Sequence, residues 1–242
     1  MTGEVTSVPH PPPSSWNDLP RWHWRRLLFW TLRRRFHESR AVLLQRSLVP
    51  PFQRAGASIL NEPGSFFEHS SVSSNQLQQL LSALGASENL SGPVIEIGSF
   101  RGVTTRALAA GTRRTIIALD PYAGYGGHDR DLALFQENTA GQPNIRHLRQ
   151  RSDEAFIGWP GTPVSMVFID AIHEYMHAWY DFAAWGSLVQ PGGFVAFHDV
   201  DAFPGVNLVC HRILRGSSHW VPWAYAPNIA IFRRENPMTP TK

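Results

Sequence analysis

The chain has 242 residues, of which 43% are hydrophobic and 12% aromatic, enough for one α/β domain with an N-terminal extension. Its single cysteine, Cys210, excludes an internal disulfide. The net charge of +3 is unevenly spread: residues 21–54 hold nine arginines and one acid, Glu38, which gives this segment a charge of +8. The basic character thus belongs to the extension, so the overall charge does not indicate a domain that binds nucleic acid.

The N-terminal region divides into two parts. Residues 1–20 contain five prolines among serine and threonine and predict a disordered tail. Residues 21–46, rich in arginine, tryptophan and leucine, predict a helix that Pro50 and Pro51 end, so that residues 21–74 form a basic helical extension with a linker. This helix could contact an anionic membrane or another protein, or it could pack on the domain or on a second subunit with its arginines in solvent.

Targeting signals are missing from the sequence. The first 20 residues lack the apolar core of a signal peptide, and no apolar run approaches the roughly 20 residues that span a bilayer. We therefore expect a cytoplasmic protein. The basic helix allows peripheral contact with the inner face of the membrane as an alternative.

Residues 75–235 alternate strand-like and helix-like segments. This alternation predicts a doubly wound α/β domain, with a mostly parallel seven-stranded sheet covered by helices on both faces, and residues 236–242 are predicted to be a disordered tail. We predict a turn over residues 191–193 and antiparallel pairing for the last two strands. The predicted strands cover residues 93–97, 115–119, 144–148, 164–169, 194–197, 221–225 and 229–232.

The first strand of this domain carries a glycine motif. Residues 94–102 read Val-Ile-Glu-Ile-Gly-Ser-Phe-Arg-Gly, a buried strand followed by a tight turn and a helix start. The spacing of Gly98 and Gly102 differs from the dinucleotide-binding pattern G-x-G-x-x-G, and the sequence contains no Gly-Lys-Ser/Thr of a P-loop. Ligands of such sheets bind at the carboxyl ends of the strands, so this turn predicts part of a ligand site.

Polar residues also end or follow the other parallel strands. Asp120, after the second strand, could accept hydrogen bonds from two ribose hydroxyls, or it could be a solvated turn residue before Pro121. Asp153 could contact an adenine amino group, but Ser152 or Asp153 could equally be a helix N-cap. A second group, after the fourth and fifth strands, could bind a divalent cation that lowers the pKa of a substrate hydroxyl. Its members are Asp170, His173, His198 and Asp199, and His173 could instead be a general base.

These motifs resemble the class I methyltransferases that use S-adenosylmethionine (SAM). More narrowly, the chain is similar to the bacterial small-molecule group that includes macrocin O-methyltransferase and cephalosporin-hydroxylase-like proteins. The resemblance covers about residues 75–235. It rests on residues 96–102, 119–122, 169–175 and 191–193, followed by His198 and Asp199.

The resemblance implies two sets of site residues. The second set would hold Mg²⁺ with Asp170, His198 and Asp199, and Asp170 and His173 would be catalytic. The first set would bind SAM and comprises Glu96, Gly98, Ser99, Gly102, Asp120, Ser152 and Asp153.

Two positions depart from the family pattern. Ala171 stands where a glycine is common, and His198 stands where metal-binding relatives often have an acid.

The activity implied is SAM-dependent O-methylation of a hydroxyl on a small molecule, such as a sugar or a secondary metabolite. The alternative is a non-catalytic SAM-binding or partner-docking protein that uses the basic extension. Residues 170–173 read Asp-Ala-Ile-His instead of the Asn/Asp-Pro-Pro-Tyr/Phe typical of base methylation, so we expect no nucleic-acid substrate. One cysteine excludes radical SAM chemistry, and the sequence is compatible with a homo-oligomer.

Overall fold

The computed structural model describes residues 24–48, 52–54, 69–124, 127–217 and 219–236. The tail predicted for residues 1–20 and nearly all of that predicted for 236–242 lie outside these ranges. Within them, eight strands form one sheet. They are β1 (Gln53–Arg54), β2 (Val94–Ile97), β3 (Ile116–Leu119), β4 (Ile145–Leu148), β5 (Val164–Ile169), β6 (Val189–His198), β7 (Trp220–Ala226) and β8 (Ile229–Arg234). Their order in the sheet is β1-β7-β8-β6-β5-β2-β3-β4.

The predicted doubly wound sheet is confirmed. All seven predicted strands are present, β7 and β8 pair antiparallel, and β8 alone among the described strands runs against the others. Two details differ: the two-residue β1 adds an edge strand within the predicted linker, and β6 begins at Val189 instead of after the predicted turn. Residues 191–193 lie inside β6, where the pairing register with β5 shifts between Val164 and Met166.

Helices cover both faces of the sheet. They are α1 (Trp24–Leu44), α2 (Ser74–Ala86), α3 (Val103–Ala110), α4 (Asp129–Thr139), α5 (Ser152–Ile157), α6 (Tyr175–Leu188) and α7 (Pro204–Gly216). Alternate residues of β2 enter two different apolar clusters: Ile95 and Ile97 pack with α6 and α7, and Val94 packs with α2 and α3. This alternation is the expected consequence of the two-residue period of a strand.

The basic helix α1 packs on the domain through one of its faces. Ala41, on α1, and Leu48, just beyond its end, are fully buried in the cluster that includes α6 and α7. Near the start of α6, Arg34 pairs with Glu174, and Glu38 Oε1 accepts a hydrogen bond of 2.8 Å from the backbone N–H of Tyr175. None of the helices in the described part of the chain has the length and apolarity that a bilayer crossing requires.

Candidate active site

Three neighbouring strands bring the predicted site residues to one edge of the sheet. β2 lies between β3 and β5, and the register sets the last residues of all three strands side by side. Gly98, Asp120 and Asp170 follow these strand ends directly. The Gly98 N–H donates to Leu119 O at 2.8 Å and the Asp170 N–H donates to Ile97 O at 2.8 Å, so the three loops start in contact.

The two glycines of the motif are required by close contacts between segments. Gly98 has φ +91°, and a Cβ at this position would lie 1.9 Å from the carbonyl oxygen of Asp170. Gly102 is the N-cap of α3 with φ +76°, and a Cβ there would lie 2.8 Å from the ring of Phe135. Residues with positive φ are rarely other than glycine because a side chain adds strain. The predicted turn is thus confirmed, and its backbone lies against the loop that carries Asp170.

Glu96 lies beneath this turn. Its side chain is 1% exposed and accepts a 2.5 Å hydrogen bond from Thr105 Oγ1 on α3. Burial raises the pKa of Glu96 to about 8, although the hydrogen bond from Thr105 opposes this shift. The carboxyl is therefore largely protonated at neutral pH, which is the expected state of a buried acid without a cationic partner.

Replacing Glu96 with glutamine, which resembles the protonated acid, should remove one component of the pH dependence of stability. The folded protein keeps the Glu96 proton up to about pH 8, whereas the unfolded carboxyl loses it near its ordinary pKa of 4.5. The contribution of Glu96 is therefore full below about pH 4.5 and is lost as the pH rises to about 8. Between pH 5.5 and 8.5, the unfolding free energy of the wild type should fall by roughly 3 kcal/mol more than that of the variant.

Urea unfolding of both proteins at the two pH values measures this difference. All other titrating groups are common to the two chains, so their effects cancel. Stability curves that run parallel with pH would show that Glu96 titrates normally and would remove the inference of a protonated carboxyl.

Asp120 joins two loops. Its Oδ2 accepts from the backbone N–H of Phe100 at 3.0 Å, and its Oδ1 accepts from the N–H of Tyr122 at 2.9 Å. Burial raises the pKa of Asp120, while these two hydrogen bonds oppose the shift. Each carboxylate oxygen retains a lone pair, so the side chain can still accept from a ribose hydroxyl.

Sequence reasoning overlooked the role of Tyr122, whose hydroxyl donates to the carbonyl oxygen of Phe100 at 2.5 Å. Phe100 and Tyr122 both have positive φ, 44° and 50°. Strained residues of this kind cluster at ligand sites. Ser99 lies within the same loop, 5% exposed, with its Oγ 3.5 Å from the Tyr122 hydroxyl. The position of Tyr122, two residues after Asp120, is the signal that could have identified it.

Ser152 and Asp153 already have partners. The Ser152 hydroxyl donates to Asp181 and accepts from Trp185 Nε1 at 3.1 Å, so it is engaged between α5 and α6. The Asp153 carboxylate accepts two 3.0 Å hydrogen bonds from Arg151. Both residues lie in the first turn of α5 after the N-cap position, which is occupied by Arg151. Neither is the N-cap, and their contact with adenine stays a prediction.

Two carboxylates and two histidines meet at the ends of β5 and β6. His173 Nε2 lies 2.9 Å from Asp199 Oδ2 and 3.7 Å from Asp170 Oδ1. His198 Nδ1 lies 3.1 Å from Asp170 Oδ1 and 3.5 Å from Asp199 Oδ2. Burial favours the neutral form of these acids, but the two histidines lower the pKa of both carboxyls below the usual range. The sequence-predicted cluster of Asp170, His173, His198 and Asp199 is thus assembled in space.

His198 has the hydrogen-bonding pattern of an imidazolium. Its Nε2 lies 3.2 Å from Gln76 Oε1, which also accepts from the backbone N–H of Ser73, while Gln76 Nε2 donates to Pro227 O. These contacts fix the amide, so His198 Nε2 must donate, and its Nδ1 faces carboxylates. Burial alone would lower the pKa of His198, but Asp170 and Asp199 raise it to about 10.

The structure brings together a candidate ligand set that differs from the predicted one at one residue. With both ring nitrogens facing acceptors, His198 offers no lone pair to an ion. Asp170, His173 and Asp199 instead offer ligand atoms that all lie within 4.8 Å of one another. His173 Nε2, although 2.9 Å from Asp199, has no well-directed hydrogen-bond partner among the described residues. A buried imidazole nitrogen beside two carboxylates would complete the donor set of a divalent cation once the ring has lost its proton.

Further residues hold this cluster in place. Phe203 stacks on the His173 ring with centroids 4.2 Å apart and an interplanar angle of 18°. Asn228 Nδ2 donates to Asp199 Oδ1 at 2.6 Å, and Asp199 has the positive φ of 61°. Burial alone would lower the pKa of His173, but the neighbouring carboxylates of Asp170 and Asp199 raise it to about 9.

Comparison with known proteins gives a family match over the central part of the chain and several structures with the same fold. Residues 95–200 match the family model described as a methyltransferase domain. A comparison with functionally curated proteins gave no match. TomG, an O-methyltransferase from Streptomyces achromogenes solved with SAM, is 16% identical over 84% of this chain and 96% of its own, with a TM-score of 0.55. The O-methyltransferase NovP is 16% identical over 69% of this chain and 83% of its own, with a TM-score of 0.54.

The same fold also serves a different acceptor. An rRNA methylase from Streptococcus thermophilus is 10% identical over 65% of this chain and 95% of its own, with a TM-score of 0.52. Because one fold supports several functions, these distant similarities establish the fold and leave the acceptor to the chemistry of the site. The match of residues 95–200 agrees with the prediction of a methyltransferase, and the solved structures confirm the predicted fold.

Proposed function

We propose that this methyltransferase domain binds SAM and transfers its methyl group to a hydroxyl oxygen of a small molecule, such as a sugar or a secondary metabolite. The cluster of Asp170, His173 and Asp199 at the strand ends, beside the Gly98 turn, is the observation that carries the proposal. Such a cluster suits the activation of a hydroxyl. TomG and NovP, which share the fold, are O-methyltransferases, and this supports the same acceptor class.

SAM would lie across the ends of β2 and β3. In this arrangement the backbone of the Gly98–Gly102 turn faces the methionine and ribose, and Asp120 accepts from the ribose hydroxyls with its remaining lone pairs. Glu96 supports the turn from below through Thr105. Ser152 and Asp153 would flank the adenine through their backbone or through the exposed edge of the Asp153–Arg151 pair, since the Ser152 hydroxyl is engaged with Asp181.

The chemistry is an in-line displacement. The acceptor oxygen attacks the methyl carbon as the carbon–sulfur bond breaks, the sulfur leaves as a neutral thioether, and the hydroxyl proton must be removed. Asp170 and Asp199 raise the pKa of His173 to about 9, so its ring would accept the hydroxyl proton after releasing its own proton to solvent. Asp170, His173 and Asp199 are the residues that would hold a divalent cation such as Mg²⁺, and the cation would lower the pKa of the substrate hydroxyl.

His198 has a separate role in this proposal. Its imidazolium, 2% exposed, stands between the two carboxylates and Gln76 and offsets their negative charge. It orients Asp170 without touching the acceptor. The two histidines would therefore act differently. His198 stays protonated as a fixed cation, whereas His173 can lose its proton and bind a metal ion.

SAM binding tests the proposal directly. Calorimetric titration of the wild type with SAM should show binding, and Asp120→Ala should weaken it by roughly 10- to 100-fold, the loss expected for hydrogen bonds to a charged group. Asp129→Ala, which removes an exposed carboxylate of α4, is the matched control and should bind as the wild type does. A wild type that does not bind SAM would leave the alternative of a partner-docking protein.

The remaining expectations about partners complete this proposal. We place the protein in the cytoplasm, with a small-molecule acceptor and without a nucleic-acid substrate, and its function is compatible with a homo-oligomer. Residues 1–20 and 236–242 would be tails, residues 21–74 an extension and residues 75–235 the SAM-dependent domain. We assign to residues 21–46 a contact with a membrane or with another protein, separate from the SAM site.

A further inference from the structure

The side of α1 that faces away from the domain carries a row of exposed apolar side chains. Phe29, Leu32, Phe36 and Leu43 are 58%, 59%, 63% and 83% exposed. Their spacings of three, four and seven residues place them on one side of the helix. We call these four residues the α1 stripe. Isolated exposed apolar residues are ordinary, but a row of four on one helix face marks an interaction surface.

The α1 stripe is bordered by positive charge. Arg33, Arg35, Arg40 and Arg46 are all exposed. The Arg33 guanidinium lies 5.9 Å from the ring centroid of Phe29, so cation and apolar side chain share one surface. Glu38, the single acid among residues 21–54, lies on the other side of α1, where it accepts from the N–H of Tyr175. The exposed side of the helix is thus apolar and cationic without a carboxylate of its own.

The opposite side of α1 fixes the orientation of the stripe. Arg34 pairs with Glu174, Glu38 binds the first turn of α6, and the His37 ring stacks on Tyr175 with centroids 4.7 Å apart. Ala41 is fully buried between α1 and the domain. Because these contacts occupy the inner face, the α1 stripe is held outward by the domain and does not depend on the helix turning over to be presented.

We propose that the α1 stripe and its flanking arginines seat the protein on the surface of an anionic lipid bilayer. A helix with this composition lies in the plane of the interface, with its apolar side chains among the acyl chains and its arginines at the phosphates. A second copy is a poorer occupant, because a two-fold contact through α1 would bring two sets of arginines together without a carboxylate between them. The charge of +8 over residues 21–54 complements an anionic surface instead.

Vesicle binding by the full chain tests this surface without reference to SAM or to catalysis. Vesicles of phosphatidylcholine mixed with phosphatidylglycerol should co-sediment the wild type, whereas phosphatidylcholine vesicles should not, and added salt should weaken the binding. The double variant Phe36→Ser, Leu43→Ser should reduce the affinity at least about tenfold, since two exposed apolar anchors are lost. Arg35→Gln with Arg40→Gln should reduce both the affinity and its dependence on salt.

Ile157→Ser provides the matched control. Ile157 is an apolar residue of α5, 75% exposed and outside the α1 stripe, so this variant should bind vesicles as the wild type does. The substituted positions are exposed, and thermal unfolding should confirm that all variants fold. Equal binding to both vesicle types, no binding by the wild type, or unchanged binding by the Phe36/Leu43 variant would each overturn the proposal. A dimer in light scattering that only this variant dissociates would assign the stripe to a second copy and would also overturn it.

Discussion

Replacing Gly98 with alanine is expected to destabilise the protein by several kcal/mol or to prevent folding. The added Cβ would lie 1.9 Å from the carbonyl oxygen of Asp170, a backbone atom that cannot move without shifting the end of β5. The positive φ of 91° adds roughly 1–2 kcal/mol for a residue with a side chain. Changes of this size come from a short list of causes, and here two of them combine.

Gly141→Ala separates the two causes. Gly141 also has a positive φ, +81°, but nothing lies within 4 Å of its Cβ position, so the variant should lose only the backbone contribution of roughly 1–2 kcal/mol. Urea unfolding of the two variants measures the difference. Equal losses in the two proteins would show that the β2 and β5 loops can separate and that the close approach at Gly98 does not constrain the site.

Replacing Asp170 with asparagine is expected to reduce methyl transfer by roughly 10²- to 10⁴-fold, with SAM affinity nearly unchanged. The carboxylate is the shared partner of His173 and His198, at 3.7 Å and 3.1 Å. An amide keeps the shape but removes the charge that raises the pKa of both histidines and that would bind a cation. The measurements are the rate of formation of S-adenosylhomocysteine with a hydroxylated acceptor and calorimetric titration with SAM and with Mg²⁺.

The matched control is Asp129→Asn, an exposed carboxylate of α4 whose loss should leave the rate unchanged. If Asp170→Asn binds SAM normally and retains the wild-type rate, the cluster does not act on the acceptor. If the variant loses SAM binding as well, Asp170 supports the cofactor turn through Gly98, and the assignment of a catalytic role would have to be withdrawn.

The fold was readable from the sequence because its signals are local. Four-residue strands such as β2 and β3 are buried along their whole length: β3 is a continuous apolar run followed by Asp120, and β2 is apolar apart from Glu96. The two-residue strand β1 was missed, since its pairing with β7 depends on residues about 170 positions away and two residues carry no periodicity. The turn predicted over residues 191–193 lies within β6 as an irregularity, because the residues paired with β5 jump from Val189 to Phe194 and Gly192 has a φ of +86°.

The sequence indicated which residues meet at the ends of β5 and β6, but not all of their contacts. Asp170, His173 and Asp199 follow strand ends, and their meeting follows from the topology. The role of His198 could not be predicted, because it depends on Gln76, which lies 122 residues earlier in α2. The same holds for Asn228, which reaches Asp199 from the turn between β7 and β8.

The basic extension shows a different limit of sequence reasoning. Its arginines look alike in the sequence, yet Arg34 pairs with Glu174 whereas Arg33 lies against Phe29 on the exposed side. The apolar residues of α1 do not follow a single helical stripe in the sequence because the helix has two apolar faces. One face packs on α6 and α7, and the other carries the α1 stripe. The sequence alternative of packing on the domain therefore describes the inner face only.

The start of α2 limits how freely this chain can be redesigned. Ser73 and Gln76 form a capping box, a motif in which glutamate usually serves as well as glutamine. Here the Gln76 amide also donates to Pro227 O and accepts from His198, so a glutamate would place a second negative oxygen against a carbonyl. A substitution that helix-stabilising rules would treat as neutral would thus disturb the cluster, and position 76 should be excluded from consensus or stability-guided libraries.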